Sequence, residues 1–257
     1  MDFIVELHTD VGIRRSNNQD SLCVKEAETP QGNVLLAVIC DGMGGLEKGE
    51  VASATVVRAF SAWFEQSLPA SLAGPNTMED VRYQWERLVK GLNQNIADYG
   101  RSQHIQLGST LTAVLIFADG SYLIGHVGDT RAYEITNNSL RQLTFDQTVV
   151  ANEVRSGRLT PEQALRDPRR NVLLQCIGAS KVVEPDFLFG RFEGEECCLL
   201  CSDGFRHVIT EQELQSAFSP ANNLSQEAMK QHLTAVTEWN KQRQETDNIS
   251  AILIRMR

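Results

Sequence analysis

Four aspartates, Asp20, Asp41, Asp203 and Asp247, are scattered along the chain, yet each stands where an apolar, strand-like run begins or ends. Residues 34–40 (VLLAVIC) run into Asp41-Gly42-Met43-Gly44-Gly45, and Cys197–Cys201 (CCLLC) runs into Ser202-Asp203-Gly204. Asp247-Asn248 opens Ile249–Met256 (ISAILIRM), and Gln19-Asp20 opens residues 21–24. Unbroken apolar runs of this kind read as strands buried on both faces. Laid side by side, such strands gather the four acids at the rim of a sheet. Two carboxylates about 4 Å apart repel by roughly 4 kcal/mol at an effective dielectric near 20, so the group must protonate, spread apart or hold a cation. Its donors are carboxylate and backbone oxygens, with no His or Cys at ligand spacing nearby, which selects Mg²⁺ or Mn²⁺ over Zn²⁺. An Asp-Gly pair taken alone reads as a turn; four acids at strand ends favour a shared metal site.

The remaining elements must position these acids. Residues 51–68 and 78–99 keep helical period, with Val56, Phe60, Trp63 and Phe64 on one face of the first and Val81, Trp85, Leu88 and Leu92 on one face of the second. The stretch 69–75 joins them. Residues 110–117, an Asp119-Gly120 hairpin signal, residues 122–127, and Arg131–Ile135 with an Asn137-Asn138 turn read as an antiparallel meander. A late helix at 226–239 precedes the final strand. Strands grouped in meanders and long helices in adjacent pairs predict an α+β layered domain. Within 146–171, Thr160-Pro161-Glu162-Gln163 reads as a capped helix start that Pro168 then stops.

At 257 residues the chain is long enough for a substantial core and reads as a single domain, 1–257. A formal charge of −9 opposes a nucleic-acid or acidic-membrane partner, because either needs a basic face. No apolar stretch is long enough to span a bilayer, and the amino terminus lacks a charged-then-apolar leader, so a cytoplasmic location is expected. Four of the six cysteines (Cys40, Cys197, Cys198 and Cys201) lie in apolar runs as small hydrophobes. A zinc or redox site at Cys198-Leu199-Leu200-Cys201 lacks a second pair or a His to complete it.

Read in order, Arg15-Ser16-Asn17-Asn18-Gln19-Asp20, Asp41-Gly42-Met43-Gly44-Gly45 followed by Gly49-Glu50-Val51-Ala52-Ser53, Gly108-Ser109-Thr110, Val127-Gly128-Asp129-Thr130-Arg131-Ala132-Tyr133, Leu143-Thr144-Phe145-Asp146, Cys201-Ser202-Asp203-Gly204 and Asp247-Asn248-Ile249-Ser250 resemble the successive motifs of the metal-dependent (type 2C, PPM) serine/threonine protein phosphatases, in their bacterial single-domain form. The resemblance spans nearly the whole chain. It implies two stacked antiparallel β-sheets flanked by α-helices, an α-β-β-α sandwich, with a flap at about 146–171. A well-packed helical excursion is the other reading of that segment. It implies hydrolysis of phosphoserine and phosphothreonine on proteins by a metal-activated water. Substrates would be phosphorylated proteins, including a serine/threonine kinase and its own substrates. The alternative is a catalytically silent, phosphoprotein-binding regulatory module.

Carried over residue by residue, the resemblance makes Asp41 the bridge between two Mn²⁺ or Mg²⁺ ions, with the Gly42 carbonyl on one of them and Asp203 and Asp247 completing the other. Asp20 would orient coordinated waters, and Asp129 with Asp203 would hold a weaker third ion. The alternative for Asp129 is a brace of its turn, paired with Arg131. Arg15 is the phosphate clamp: its guanidinium offers paired donors to phosphate oxygens, and its spacing to Asp20, unlike that of Arg14, matches the family. Met43, Gln19, Gln147 and Asp167 depart from the pattern. A thioether cannot donate the proton that some members draw from a His, so protonation of the leaving group falls to a metal-bound water. None of the five histidines shows paired ligand spacing, and each reads as structural or surface.

Overall fold

A computed structural model describes residues 1–44, 48–75 and 77–257; Gly45 of the glycine-rich motif lies outside them. The chain begins with β1 (Phe3–Asp10), β2 (Asp20–Thr29) and β3 (Gly32–Gly44), followed by α1 (Gly49–Gln66), α2 (Leu68–Leu72) and α3 (Thr77–Gln103). Next come β4 (Leu107–Ser109), β5 (Leu111–Phe117), β6 (Ser121–Val127), β7 (Arg131–Ile135) and β8 (Leu140–Gln142), then α4 (Val149–Arg155) and α5 (Pro161–Ala164). The last part holds β9 (Asp186–Arg191), β10 (Cys197–Cys201), α6 (Asp203–Arg206), α7 (Glu211–Phe218), α8 (Gln226–Gln242) and β11 (Ile249–Met256). One antiparallel sheet has the order β1-β11-β10-β7-β8; the other has β2-β3-β5-β6-β9, with β4 added on β3.

Side-chain alternation at period two divides the apolar residues among three layers. Leu35, Ala37 and Ile39 of β3 face Cys198 and Leu200 of β10 and Ile252 and Ile254 of β11, which is the core between the sheets. The alternate residues of β3, Val34, Leu36, Val38 and Cys40, meet Phe60 and Trp63 of α1 and Trp85 of α3. On the far side, Leu199, Ala251 and Leu253 pack under Phe205, Phe218, Leu233 and Val236 of the carboxy-terminal helices. Both sheets are therefore buried on two faces at their centres, as the continuous apolar runs require, and the expected α-β-β-α sandwich is observed. Cys198 and Cys201 fall in different layers, so the C-x-x-C spacing cannot form a metal pair.

Three expectations need correction. The acids do not share one rim, because Asp20 and Asp41 belong to one sheet while Asp203 and Asp247 stand at the ends of strands of the other. Strand β3 does not stop where its apolar run breaks at Asp41-Gly42 but continues to Gly44, because β2 pairs with it as far as Asp41 and β4 takes over from Gly42. The meander is also interrupted: β5 and β6 pair, yet β6 lies beside β9 while β7 joins β10 and β8. Gly128 makes this change of sheet at φ 103°, and a Cβ there would lie 2.7 Å from Thr110 Cγ2.

The segment 146–171 forms a small excursion over this frame. Thr148 caps α4 by accepting from Ala151 N–H at 3.1 Å. Thr160 and Gln163 cap α5 reciprocally, as the sequence predicts; α5 ends at Ala164, ahead of Pro168. The excursion is rooted where Thr148 bridges Leu173 and Val149 N–H donates to Val172. Its tip exposes Leu165. No helix among the described residues is long and apolar enough to cross a membrane.

Candidate active site

Backbone pairing brings the first two acids together: Asp20 opens β2 directly opposite Asp41 in β3. Thr110 locks Asp41 by donating its N–H to the Asp41 carbonyl at 2.9 Å and accepting the Asp41 N–H on its hydroxyl at 2.8 Å. This gives the Gly108-Ser109-Thr110 motif a positioning role. The other sheet supplies Asp203, at the start of α6, and Asp247, just before β11. Ser202 and Ser250 hold these ends in register through Ser202 N–H to the Ser250 carbonyl (3.0 Å) and Ser250 N–H to Ser202 Oγ (3.1 Å). Asn248 then ties the amino-terminal loop to the pair. Its amide donates to the carbonyls of Val11 and Asn17 at 3.0 and 3.1 Å, and its oxygen accepts the Gln19 N–H at 2.9 Å. Residues far apart in sequence thus converge through strand register and one asparagine.

The electrostatics are those of an unneutralised acid cluster. Both carboxylate oxygens of Asp20 and Oδ1 of Asp203 are sealed from solvent without a hydrogen-bond partner. Burial, and then the charges of Asp203 and Asp247, push Asp20 up to about 7; the hydroxyls of Ser250 and Ser202 oppose this without reaching hydrogen-bond distance. Asp41 is driven well above the ordinary carboxylate range, by burial first and then by Asp20, Asp203, Asp129 and Asp247. Asp203 is raised by burial and by Asp247, against the pull of Arg206. In each case burial and like charge work against the ionised form, and a cation would reverse that.

Arg15 reaches into this cluster, its Nη2 donating to Asp247 Oδ2 at 2.8 Å while half of its side chain remains exposed. Arg14 is exposed beside it. The Gly42 backbone passes so close to the start of α1 that a Cβ on Gly42 would lie 2.2 Å from the Gly49 carbonyl oxygen. Gln19 clasps the two, with its amide nitrogen donating to the Gly42 carbonyl at 3.2 Å and its oxygen accepting the Gly49 N–H at 3.1 Å, an orientation assigned from the hydrogen-bond network. A carboxylate in place of Gln19 could not donate to that carbonyl.

Asp129 follows the Gly128 turn and is buried. Burial and the charge of Asp203 push it up to about 7, against Arg206 and Arg131. Arg131 does not brace it: its Nε and Nη2 instead form a bidentate pair with Asp146, 2.7 Å each. Gln147 holds the turn from both sides, accepting the Gly128 N–H on Oε1 at 2.8 Å and donating its own backbone N–H to the Gly128 carbonyl at 2.8 Å. Two residues that sequence reasoning passed over also belong here. Arg206 donates to the Asp129 carbonyl at 3.0 Å. His207, read as structural or surface, faces the same cavity as Asp203 and lies 3.5 Å from Glu245 Oε2, whose hydrogen bond raises its pKa. Their one signal was spacing, three and four residues after Asp203 on a helical turn.

A cavity of about 870 Å³ opens from Asp129 and Asp203 and extends beneath the 146–171 excursion, past Phe145, Val150, Leu165 and Arg170. Among the described residues no three His, Cys, Asp or Glu side chains meet around one point. Such a cage is not needed for Mg²⁺-like ions, which keep several waters and take one or two carboxylates. The oxygen-only donor set, with buried carboxylate oxygens lacking partners, fits ions of this class.

The family model for protein phosphatase 2C matches residues 12–253. The serine/threonine phosphatase stp of Listeria welshimeri is 35% identical over 252 residues, 97% of this chain and 94% of that protein. The crystal structure of the serine/threonine phosphatase Stp1 from Staphylococcus aureus superposes with a TM-score of 0.85 at 28% identity, covering 100% of this chain and 96% of that one. The catalytic domain of the serine/threonine protein phosphatase PstP, solved with two manganese ions, superposes with a TM-score of 0.78 at 26% identity, covering 98% of this chain and 97% of that one.

Proposed function

The chain belongs to the protein phosphatase 2C family and is a serine/threonine protein phosphatase, and from that premise we propose how its own residues perform the hydrolysis. Asp41, the Gly42 carbonyl, Asp203 and Asp247 hold two divalent ions, Mn²⁺ or Mg²⁺, and Asp129 with Asp203 holds a weaker third. When bound, such ions supply a water ionised near neutral pH and stabilise charge on the phosphoryl oxygens. Asp20 accepts hydrogen bonds from waters in the site and so orients them. Arg15 leaves Asp247 to grip the substrate phosphate with paired donors. Met43, near the end of β3, has no proton to give, so the leaving serine or threonine oxygen takes its proton from water.

The observation that carries this reading is the pair of partnerless Asp20 oxygens buried beside Asp41 and Asp203. A site with that much uncompensated negative charge has a use for a cation, which a silent binding module does not require. We further read residues 1–257 as one domain with a flap at about 146–171 over the cavity. Its partners are phosphorylated proteins, including a serine/threonine kinase and its substrates, in the cytoplasm. Phosphate release from a phosphothreonine peptide should require Mn²⁺ or Mg²⁺ and stop on adding EDTA; undiminished turnover in EDTA would overturn the metal assignment.

A further inference from the structure

Asp129 and Asp203 line one cavity, and Arg206 lines it with them. Arg206 ends the single turn of α6 that Asp203 begins. Its Nη2 donates to the Asp129 backbone carbonyl at 3.0 Å but reaches Asp146 Oδ2 only at 3.4 Å. Asp146 is already committed to the bidentate pair with Arg131. Two guanidinium groups therefore share one carboxylate, which leaves one positive charge uncompensated. The Arg206 side chain is 12% exposed, and its Nε is buried without a partner. A guanidinium does not deprotonate in such a place, and a buried charge needs a counter-charge. Asp129, whose carbonyl it binds, and Asp203, which opens the same helical turn, line the cavity with it and are placed to supply it.

We propose that Arg206 is a built-in cation that takes up the charge of the Asp129–Asp203 pair and so keeps a divalent ion at that position weakly bound. The proposal rests on the reading of Asp41, Asp203 and Asp247 as the two-ion centre. It explains why the third position should be weak without any loss of ligand atoms, since both carboxylates are present and what competes is a fixed positive charge. Removing that charge while keeping the carboxylates should therefore strengthen the third ion and leave the first two in place. Substituting lysine keeps the charge and loses the planar fork, which separates electrostatics from bracing.

The test is calorimetric titration of the metal-stripped protein with Mn²⁺ at mildly alkaline pH, with melting temperature recorded for each protein. Wild type should show a tight two-ion step and a third event confined to the millimolar range. Arg206→Gln should keep the tight step and bind the third ion at least about tenfold more strongly, a change of about 1.4 kcal/mol. Arg206→Lys should follow wild type, and Asp129→Asn added to Arg206→Gln should erase the gain. Unchanged third-ion binding in Arg206→Gln, with a lowered melting temperature, would make Arg206 a structural brace and overturn the proposal. Absence of the tight step from wild type would overturn the two-ion reading beneath it. Should Arg206→Gln fail to fold, Asp129→Asn in the wild-type chain decides. It must leave the submillimolar isotherm unaltered, and an ion lost there with Asp129 overturns the proposal.

Discussion

Asp20 stands directly opposite Asp41 across the β2–β3 ladder, the pair with which β2 begins. Like charges placed opposite one another destabilise a sheet by about 0.2–1 kcal/mol, and burial sharpens the conflict here, because neither Asp20 oxygen has a hydrogen-bond partner. The fold carries this cost where a bound cation would remove it.

Asp41→Asn therefore separates stability from function. Without metal, the variant should melt higher than wild type by about 2 °C, the shift that roughly 0.5–1 kcal/mol gives a chain of this size. With Mn²⁺ present, hydrolysis should fall by about 10²-fold or more, since the neutral amide gives up the charge that holds the ions. Scanning calorimetry and phosphate release on the same preparation check both. A metal-free melting temperature below wild type would show that the pair is not strained.

How much of this was legible in the sequence depended on burial. The central strands β10 and β11 coincide with the apolar runs Cys197–Cys201 and Ile249–Met256, because both faces of each are covered. The edge strands β1 and β9 were missed: each pairs on one side only and leaves several side chains half-exposed, so their apolar signal is diluted. The four candidate acids were visible because each interrupts or opens an apolar run in the sequence, although β3 itself continues past Asp41 to Gly44. Arg206 was not, because its importance arises from Arg131 occupying Asp146, a pairing of β7 with the loop after β8 that no local pattern announces. The change of sheet at Gly128 was hidden for the same reason, being a matter of which distant strand each neighbour pairs with.

Arg15→Ala should raise KM for a phosphopeptide by about tenfold, the loss of one charge-assisted contact worth roughly 1.5 kcal/mol. Metal affinity should not fall and should rise slightly, because Arg15 competes with a cation for Asp247. Arg14→Ala, which alters an exposed neighbour, should behave as wild type. Steady-state kinetics with a parallel Mn²⁺ titration distinguish the two, and a KM defect confined to Arg14→Ala would reassign the clamp.

Gly49→Ala and Gly42→Ala probe the contact between β3 and α1 from either side. A methyl group on Gly49 would come within 2.6 Å of the Gly42 oxygen, and one on Gly42 within 2.2 Å of the Gly49 oxygen. Both should destabilise by about 1–3 kcal/mol, the usual cost of overpacking. Gly49 carries no assigned ligand, but its displacement shifts the Gly42 carbonyl, so Mn²⁺ affinity should drop in both variants. Denaturant melts with and without Mn²⁺ measure the two effects, and an unchanged metal affinity in both would remove the Gly42 carbonyl from the ligand set.

Stabilisation by divalent ions should grow with pH through neutrality. Asp20 and Asp129 are pushed up to about 7 in the folded chain, above an unfolded value near 3.8. A carboxyl raised in this sense stabilises the metal-free fold fully below its unfolded pKa and loses that contribution as pH rises through its folded pKa. Metal acts in the opposite direction, because it binds the ionised form and must displace the protons held below about pH 7. The increase in melting temperature on adding Mn²⁺ should thus be small near pH 5.5, rise steeply between about pH 6 and 8, and level off above, once the carboxyls are ionised without its help. Thermal melts across that range at fixed Mn²⁺ test it. An increment that is flat with pH would mean that the ions bind without displacing protons, and that the burial of these carboxylates has no bearing on metal affinity.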